Sequence, residues 1–473
     1  MKHLKIAAIS LFSLVAISCL SGCNKSSDKI QLKIGFWPES TETKDVAMYN
    51  EWKKQFEAAY PEYEIIAEPY TYDTATIATK SMTGTLPTVF QTWFTEPMKL
   101  VDKKYIRSID KVLKDAGWLD DMDPDMRQAL TFDGEVYGIP RDGYGLGLLI
   151  NIKTLGDCGL LPEVTDENGK TSYKIYNEDG TPAYPTTFEE IYEIGLTLSE
   201  YLETKSILIC SANKNGGWQF SNMAWNFGAT LQTKDNNGKV ISRLDCDEAV
   251  EALTWIQQMK MDDLLLNSIS VVYDDWYNAI EEKVAMAIVG SDVLQLAQTN
   301  GKVDMDDLAF VPMPTGDGIH KYSLYGGTPY VFDKNATDEQ VEGVLKFFEY
   351  VGRTPKVSDI SKQAMVQGNI TAQNKNQPIL PTIKPWINTE YVSYANQLEE
   401  EYVTVNMENY GEFFDKIDEY KHNEVQYGAQ EMYEYLDAAI QSVLEKPELA
   451  NPKALLTSAN AKMQKYLDEN VNK

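Results

Sequence analysis

Rings and carboxylates carry most of the chemistry this sequence offers. The chain holds 9 Trp and 28 Tyr, and 71 Asp and Glu against 43 Lys and Arg. An aromatic face stacks on apolar C–H groups, and a planar carboxylate or amide beside it bonds hydroxyls in two directions. That combination suits a sugar, which has an apolar ring face and a rim of hydroxyls. Most aromatics fill cores, so position must select among them, and open α/β sheets bind ligands on the loops that follow their strands. By that rule Trp37 and Glu39, in Trp37-Pro38-Glu39-Ser40 after a first strand, are ligand-cleft candidates, with surface packing as the competing reading. Trp218, in Asn215-Gly216-Gly217-Trp218 after a short strand, is a third, whereas Trp225 and Trp276 sit at helical spacing and read as packing.

Catalytic chemistry is thin by comparison. Of 3 His, only His320 and His422 lie beyond the first residues, and neither has a His, Cys or carboxylate neighbour at metal-ligand spacing. Two scattered histidines do not build a Ser-His-Asp triad. The chain has no G-x-S-x-G, H-E-x-x-H, G-x-x-x-x-G-K-S/T or C-x-x-C motif. Ser108-Ile109-Asp110-Lys111 has S-x-x-K spacing without its companion motifs and reads as a surface turn. The oxygen-rich stretches Asp166 to Pro185 and Lys234 to Gly238 do not match the twelve-residue calcium loop and read as turns. The expectation is therefore no metal, no cofactor and no enzyme. A glycoside hydrolase needs only two carboxylates and is the remaining catalytic alternative, distinguished by slow product formation from an oligosaccharide.

The N-terminus sets the compartment. Lys2 and Lys5 precede an apolar run from Ile6 to Leu20 that is short for a bilayer span and reads as a secretion leader. Leu20-Ser21-Gly22-Cys23 resembles the lipobox of bacterial lipoproteins, so residues 1–22 are expected to be removed and Cys23 to carry lipid, with 23–29 as tether. An ordinary leader with a chance Cys is the alternative. No other segment is long and apolar enough to span a membrane, so lipid is the expected membrane attachment. The formal net charge of −28 repels nucleic acid and anionic headgroups. Cys158, Cys210 and Cys246 allow at most one internal disulfide.

The elements that must position the site read as α/β. About 450 residues beyond the leader exceed one compact core, so two lobes or more are expected. Ile30, Leu32, Ile34 and Phe36 alternate as a strand. Val46, Tyr49, Trp52, Phe56 and Ala59 follow at helical spacing between a Thr43 cap and Pro61, and Tyr63 to Ala67 reads as a second strand. This order opens a lobe with a largely parallel sheet. Thr187 with Glu190 forms a capping box ahead of a helix, as does Thr337 with Gln340. Ile207 to Cys210 and Val284 to Val289 read as buried strands, Asp247 to Met259 as a helix, and the chain from Tyr391 onward as helices.

Several segments share their order with a known family. Pro87-Thr88-Val89-Phe90 resembles its P-D-V-F strand, with Thr where Asp is usual, and Lys104 to Asp110 loosely resembles G-L-L-x-x-L-D. Phe132-Asp133-Gly134-Glu135-Val136-Tyr137-Gly138-Ile139-Pro140 is similar to Y-D-G-K-x-Y-G-x-P, and Leu149-Ile150-Asn151 to L-x-Y-N-K with Ile in place of Tyr. Tyr184 to Glu190 resembles P-x-T-W-D-E, and Glu282 to Ser291 resembles G-K-x-A-M-x-x-x-G-x. Phe310 to Pro314 and Tyr325-Gly326-Gly327 resemble the family's P-x-P and G-G segments. Each piece is weak alone; in this order over residues 30 to 351 the chain resembles extracellular solute-binding protein family 1, the maltose-binding-protein-like group.

The resemblance implies an α/β periplasmic-binding-protein fold, two lobes closing on a ligand about a hinge of crossing segments. It implies crossings near Arg141 to Gly145, Tyr325 to Tyr330 and Val366 to Ile370. Lobe 1 is then 30–142 plus 328–367, and lobe 2 is 143–327 plus 368–473. It adds Trp93 and Phe94 after the P-D-V-F-like strand, Arg141 and Asp142 at the first crossing, Asp292, Tyr330 and Gln367 as ligand contacts. Arg141 and Asp142 pairing with each other, and Asp292 capping a helix, are the bland alternatives. The implied partners are a carbohydrate, most naturally an oligosaccharide, and the transmembrane permease subunits of an ABC importer, with the chain a monomer outside the cytoplasmic membrane. A peptide ligand, or a receptor role ahead of a sensor kinase or chemoreceptor, would use the same architecture.

Overall fold

The computed structural model describes residues 29–266 and 268–473. The leader, Cys23 and most of the tether lie outside those residues. Hydrophobic alternation builds a single sheet from nine strands: Ile30–Ile34 (β1), Tyr63–Ala67 (β2), Val89–Gln91 (β3), Gly138–Asn151 (β4), Lys205–Leu208 (β5), Val284–Gly290 (β6), Leu308–Val311 (β7), Ser323–Phe332 (β8) and Lys421–Asn423 (β9). The strand path is β2, β1, β3, β8, β4, β6, β5, with β7 on β4 and β9 on β8. The sheet is mixed rather than largely parallel. β1 runs parallel to β2 and β3, and β6 parallel to β5, but β4 is antiparallel to β8, β6 and β7.

Two long strands tie the molecule together. The first half of β4 pairs with β8 through Gly138↔Val331 to Gly145↔Tyr325, and its second half pairs with β6 and β7 through Leu146 to Asn151. Residues 141–145 and 325–330 lie on these paired strands. Around one end a core gathers Leu32, Ile34, Phe56, Ile65, Ile139, Phe332, Val344 and Phe348. Around the other, Leu148 and Ile150 point into one cluster with Ile207, Leu253, Met286 and Leu436, while Leu149 points the opposite way toward Val289, Phe310 and Tyr410. That inversion is the period of two expected of a strand covered on both faces. Two cores joined by extended strands make the two-lobed α/β fold.

Seven helices matter for the site: Thr43–Ala59 (α1), Phe188–Tyr201 (α2), Asn215–Asn226 (α3), Asp338–Tyr350 (α4), Asp359–Asn374 (α5), Thr389–Tyr402 (α6) and Ala429–Glu445 (α7). The capping boxes Thr187/Glu190 and Thr337/Gln340 are both formed. Other boundaries differ. Glu42, not Thr43, is the residue before α1, and no side chain caps it. The strand expected at 207–210 is Lys205–Leu208, because Cys210 N–H is taken by the Gln219 amide instead of a ladder partner. Residues 366–370 are not a crossing; they lie inside α5. Beyond it Trp386, Tyr391 and Ala395 still pack in the first core, and Val403, Val405 and Tyr410 join the second. Leu380 and Ile383 pack against the second core before Trp386 returns to the first, so the chain passes between cores more than once over 380–405, and Trp386, Tyr391 and Ala395, which the resemblance assigned to the second lobe, pack in the first.

The oxygen-rich stretches are hairpin turns. Asp166 accepts from Asn168 and Lys170 N–H at 2.8 Å each, and Asp235 from Asn237 and Lys239 N–H at 2.8 and 2.9 Å. Their carboxylates are occupied closing their own loops. Cys158, Cys210 and Cys246 are free thiols.

Candidate functional site

The segment of β4 between the cores presents Arg141, Asp142 and Tyr144. Across from it stands α3, whose position depends on Gly216-Gly217. A Cβ on Gly217 would collide with the Tyr433 backbone of α7, so only glycine lets the two helices touch. That contact brings Asp437 of α7 under the start of α3, where its carboxylate accepts from Lys214 N–H at 2.6 Å and Gly217 N–H at 2.7 Å. Two orphan donors of the helix start are thereby satisfied. Trp218, one residue on, is fixed edge-on to Tyr144 at 6.1 Å and to Tyr273 at 5.0 Å between centroids. Edge-to-face contacts of this kind are worth about 0.5–1.5 kcal/mol each beyond burial. Tyr273 is locked in turn: its N–H donates to Asn215 Oδ1 at 3.0 Å and its hydroxyl accepts from Gly290 N–H at 2.7 Å.

Gly290 marks the point of convergence. A Cβ there would lie 2.7 Å from Asp292 Oδ1, 3.3 Å from the Tyr273 hydroxyl and 3.5 Å from Tyr144 Cδ2. Behind it, Ser291 N–H donates to Gly145 O at 3.0 Å and Gly145 N–H donates to Ser291 Oγ at 3.2 Å, stitching this loop to β4. The result is three rings and a carboxylate around one small space, with the Arg141–Asp142 pair, 2.5 Å apart, beside it. From the C-terminal segment comes Glu424, which follows β9 and accepts from the Tyr433 hydroxyl at 2.6 Å. From the first lobe come Phe94, packed against Gly327, and Trp93, 47% exposed and edge-on to Tyr72 at 5.3 Å. Tyr72 donates a short hydrogen bond to the buried Glu96.

The sequence candidates divide accordingly. Trp218 joins the ring cluster, Asp292 lies beside it near Arg141 and Asp142, and Trp93 and Phe94 stand on the first-lobe loop just before Thr95, which meets Gln430 of α7. Arg141 and Asp142 do pair, and Asp292 accepts no helix-capping bond. Trp37 does not belong here: it is 6% exposed, stacked on Phe347 at 6.4 Å and edge-on to Tyr49 at 5.2 Å. Glu39 is exposed on the same loop, its backbone N–H bonded to Glu42. Tyr330 is a core residue, 2% exposed between Phe36 and Phe348. Gln367 lies on α5 in a groove against Met48 and Trp52 of α1, apart from the cluster. Three residues that the structure brings to the cluster were not among the sequence candidates: Tyr144, Tyr273 and Glu424. Tyr144 sits inside the Gly143-Tyr144-Gly145 crossing, where flanking glycines were the available signal. Tyr273 and Glu424 carried no local signal, because helical and loop patterns there do not report which ring or acid the fold turns inward.

Electrostatics single out two acids. Burial and the neighbouring Asp142 carboxylate raise Asp292 to about 6, against the pull of its own backbone and Arg141. The side chain is partly open to water, with Asp142 and Arg141 of β4 close by. Burial raises Glu424 to about 7, with Glu96 adding repulsion and the Tyr433 bond opposing it. Burial also pushes the Tyr144 and Tyr273 phenols up, so both stay neutral donors. A carboxyl held above its unfolded value near 4 binds more protons folded than unfolded between the two values. Its contribution to stability is then greatest below about 4 and declines as pH rises to about 6. Melting curves across that window are expected to fall less steeply for Asp292→Asn than for the unaltered chain; identical slopes would show that Asp292 is not held in this environment.

A two-lobed α/β molecule whose rings and acids meet where the chain passes between cores is, as a class, a binding protein that takes a small solute between its lobes. The chain belongs to the bacterial extracellular solute-binding proteins, whose family profile matches residues 51–384. Membership places it outside the cytoplasm, and among the described residues no helix is long and apolar enough to cross a membrane. The fold is similar to that of the GacH receptor of Streptomyces glaucescens, solved with acarbose (TM-score 0.66, 15% identity, 93% of this chain and 98% of that one). It is also similar to a cyclic alpha-maltosyl-1,6-maltose binding protein from Arthrobacter globiformis (0.65, 13%, 93% and 100%). A third similar structure is UgpB from Mycobacterium tuberculosis in complex with glycerophosphocholine (0.64, 14%, 94% and 99%). A search of curated proteins returned no match.

Proposed function

We propose that the chain captures a carbohydrate, most naturally an oligosaccharide, between its lobes and delivers it to the transmembrane subunits of an ABC importer. The observation that carries this reading is the Tyr144, Trp218 and Tyr273 cluster around Gly290 with Asp292 beside it. Rings stack on the C–H face of a sugar, and Asp292, Asp142 and Arg141 supply planar partners for its hydroxyls. Ligands named for the GacH and Arthrobacter proteins are saccharides, which supports the same class here. A phosphodiester such as that bound by UgpB would need a cation to spare, and Arg141 is already committed to Asp142.

Contacts between the lobes fit a capture cycle. Lys99 of the first lobe pairs with Glu431 of α7 at 3.2 Å, and Gln430 donates to Thr95 Oγ1 at 3.2 Å. The exposed ion pair is weak, about 0–1 kcal/mol, and the second contact is a single neutral hydrogen bond, so together they latch a closed form without making release slow. In this reading the chain performs no chemistry on its ligand, acts as a monomer, and is held to the membrane by lipid on Cys23. A thermal-shift screen of the mature chain against mono- and oligosaccharides, with peptides as the second panel, tests it. Ligand that binds only the folded state raises Tm as ln(1 + [L]/Kd). A shift with one saccharide series and no new products on chromatography is expected. Silence with sugars and a shift with peptides would overturn the assignment, and appearing products would turn the binder into a hydrolase.

A further inference from the structure

Asn213 and Lys214, the two residues ahead of α3, both stand in the left-handed backbone region, at φ of 57° and 70°. That conformation is unfavourable for any residue with a Cβ, and two in succession persist only where the surroundings over-determine them. Here the surroundings come from a helix 220 residues further along the chain. Asp437 of α7, 7% exposed, takes Lys214 N–H on one carboxylate oxygen and Gly217 N–H on the other. The fit is close. A Cβ on Gly216 would stand 2.8 Å from Asp437 Oδ1 and 2.7 Å from Cys210 O, so the glycines that open α3 are what admit this carboxylate.

These bonds do not hold α3 as a whole. Gln219 ties its body to Cys210 N–H and Ile288 O at 2.9 and 2.8 Å, and Asn222 ties it to Tyr322 O and Leu324 N–H at 2.7 and 3.2 Å. The part left to Asp437 is the first turn, Asn215 to Trp218. Two members of the ring cluster depend on that turn: Trp218 itself, and Tyr273, whose N–H is bound by Asn215. Without the carboxylate the left-handed pair can relax and its donors turn to water, and the two rings lose their common reference. The helix that sets them is also the one on which the lobes meet, through Gln430 and Glu431.

We propose that Asp437 is the positioning residue of the ring cluster, acting on solute binding through the first turn of α3 rather than by contact with the solute. The inference rests on the reading that a saccharide stacks on this cluster, and names the group that keeps the cluster in shape.

Fluorine spectra of the mature chain with its 9 tryptophans replaced by 5-fluorotryptophan read each ring separately, Trp218 being assigned by its loss in Trp218→Phe. Asp437→Asn keeps the shape of the side chain but turns an N–H donor toward one of the two backbone N–H groups. It is expected to move or broaden the Trp218 resonance and to leave those of Trp37, Trp118 and Trp386, all in the first core, unmoved. Glu434→Gln removes a charge from an exposed position on the same helix and should move none of them. Affinity is then measured with maltose, maltotriose, cellotriose or chitotriose, whichever shifts Tm most. Asp437→Asn should weaken Kd by about tenfold or more alone, but by less than about twofold where Trp218 is already Ala, because non-additivity marks residues that act through one another. An unmoved Trp218 resonance, or losses that add, would overturn the proposal. If the Asn variant does not fold, the unaltered protein still decides: the Lys214 and Gly217 amides should exchange with deuterium as slowly as those inside α3, and exchange at the rate of an open loop would show that Asp437 does not hold them. If a sugar binds and the losses add, only the positioning role falls; if none of the four shifts Tm, the carbohydrate reading falls with it.

Discussion

Trp218→Ala is expected to weaken carbohydrate binding by about 2 kcal/mol or more, roughly thirtyfold in Kd, while the apo protein melts within a few degrees of the unaltered chain. The ring is half-buried, touching Tyr144 and Tyr273 through edges and leaving the rest of its surface toward the space around Gly290. Its removal costs a ligand one stacking face and loosens the two tyrosines that form the others. The fold tolerates the loss because Trp218 is not what holds α3. Asp437 bonds the helix start, and the Gly217 contact with α7 sets its height. Isothermal titration with the saccharide identified by the thermal screen measures the effect. Tyr273→Phe is the control: it keeps the ring but removes the hydroxyl that accepts from Gly290 N–H, so a smaller loss is expected. An unchanged Kd for Trp218→Ala would mean that ligand does not bind at this cluster, whatever the family.

Much of the architecture was legible because it is written in short-range patterns. The strand at Tyr63–Ala67 and both capping boxes follow from residues within four positions of each other, and the structure reproduces them. What failed needed distant partners. β9 is three residues, Lys421 to Asn423, in a stretch that reads as helical; it exists only because β8 offers Ser323 to Tyr325 as a parallel edge. The passage between cores over 380–405 is likewise invisible locally, since Tyr391 and Ala395 fit a helix packed on either lobe. The site divides in the same way. Trp218 could be found by asking which side chains follow strands, and Asp292 from the family resemblance. Glu424 follows β9, so it could not be found until β9 was known, and Tyr330 lies among first-core rings with its hydroxyl near Arg141 and Asp142, a position that strand order alone does not reveal.

Trp37 shows how the same rule can select a residue of the opposite kind, and its replacement gives the largest stability effect expected here. It also follows a strand, but the loop turns it back onto the first lobe, where it lies nearly parallel to Phe347, 10° between planes, and edge-on to Tyr49. Phe347 in turn meets Phe56 edge-on at 5.4 Å, so the indole closes a ring-packed core beneath α1 and α4. Trp37→Ala removes a 6% exposed indole from that stack and leaves a cavity that rigid neighbours cannot fill. Such truncations cost about 3–5 kcal/mol. In a folding unit of about 150–250 residues each kcal/mol shifts Tm by roughly 2–4 °C, so a drop of about 6–20 °C is expected. Saccharide affinity, measured well below the new Tm, should stay within about twofold, because the rings that Trp37 touches, Tyr49 and Phe347, belong to the first core and not to the cluster at Gly290. The two tryptophans therefore make a paired test: one variant moves Kd and spares Tm, the other moves Tm and spares Kd. If Trp37→Ala instead lost affinity with an unchanged Tm, the ligand would sit on the first-lobe loop, and the cluster of Tyr144, Trp218 and Tyr273 would be internal packing of the second lobe.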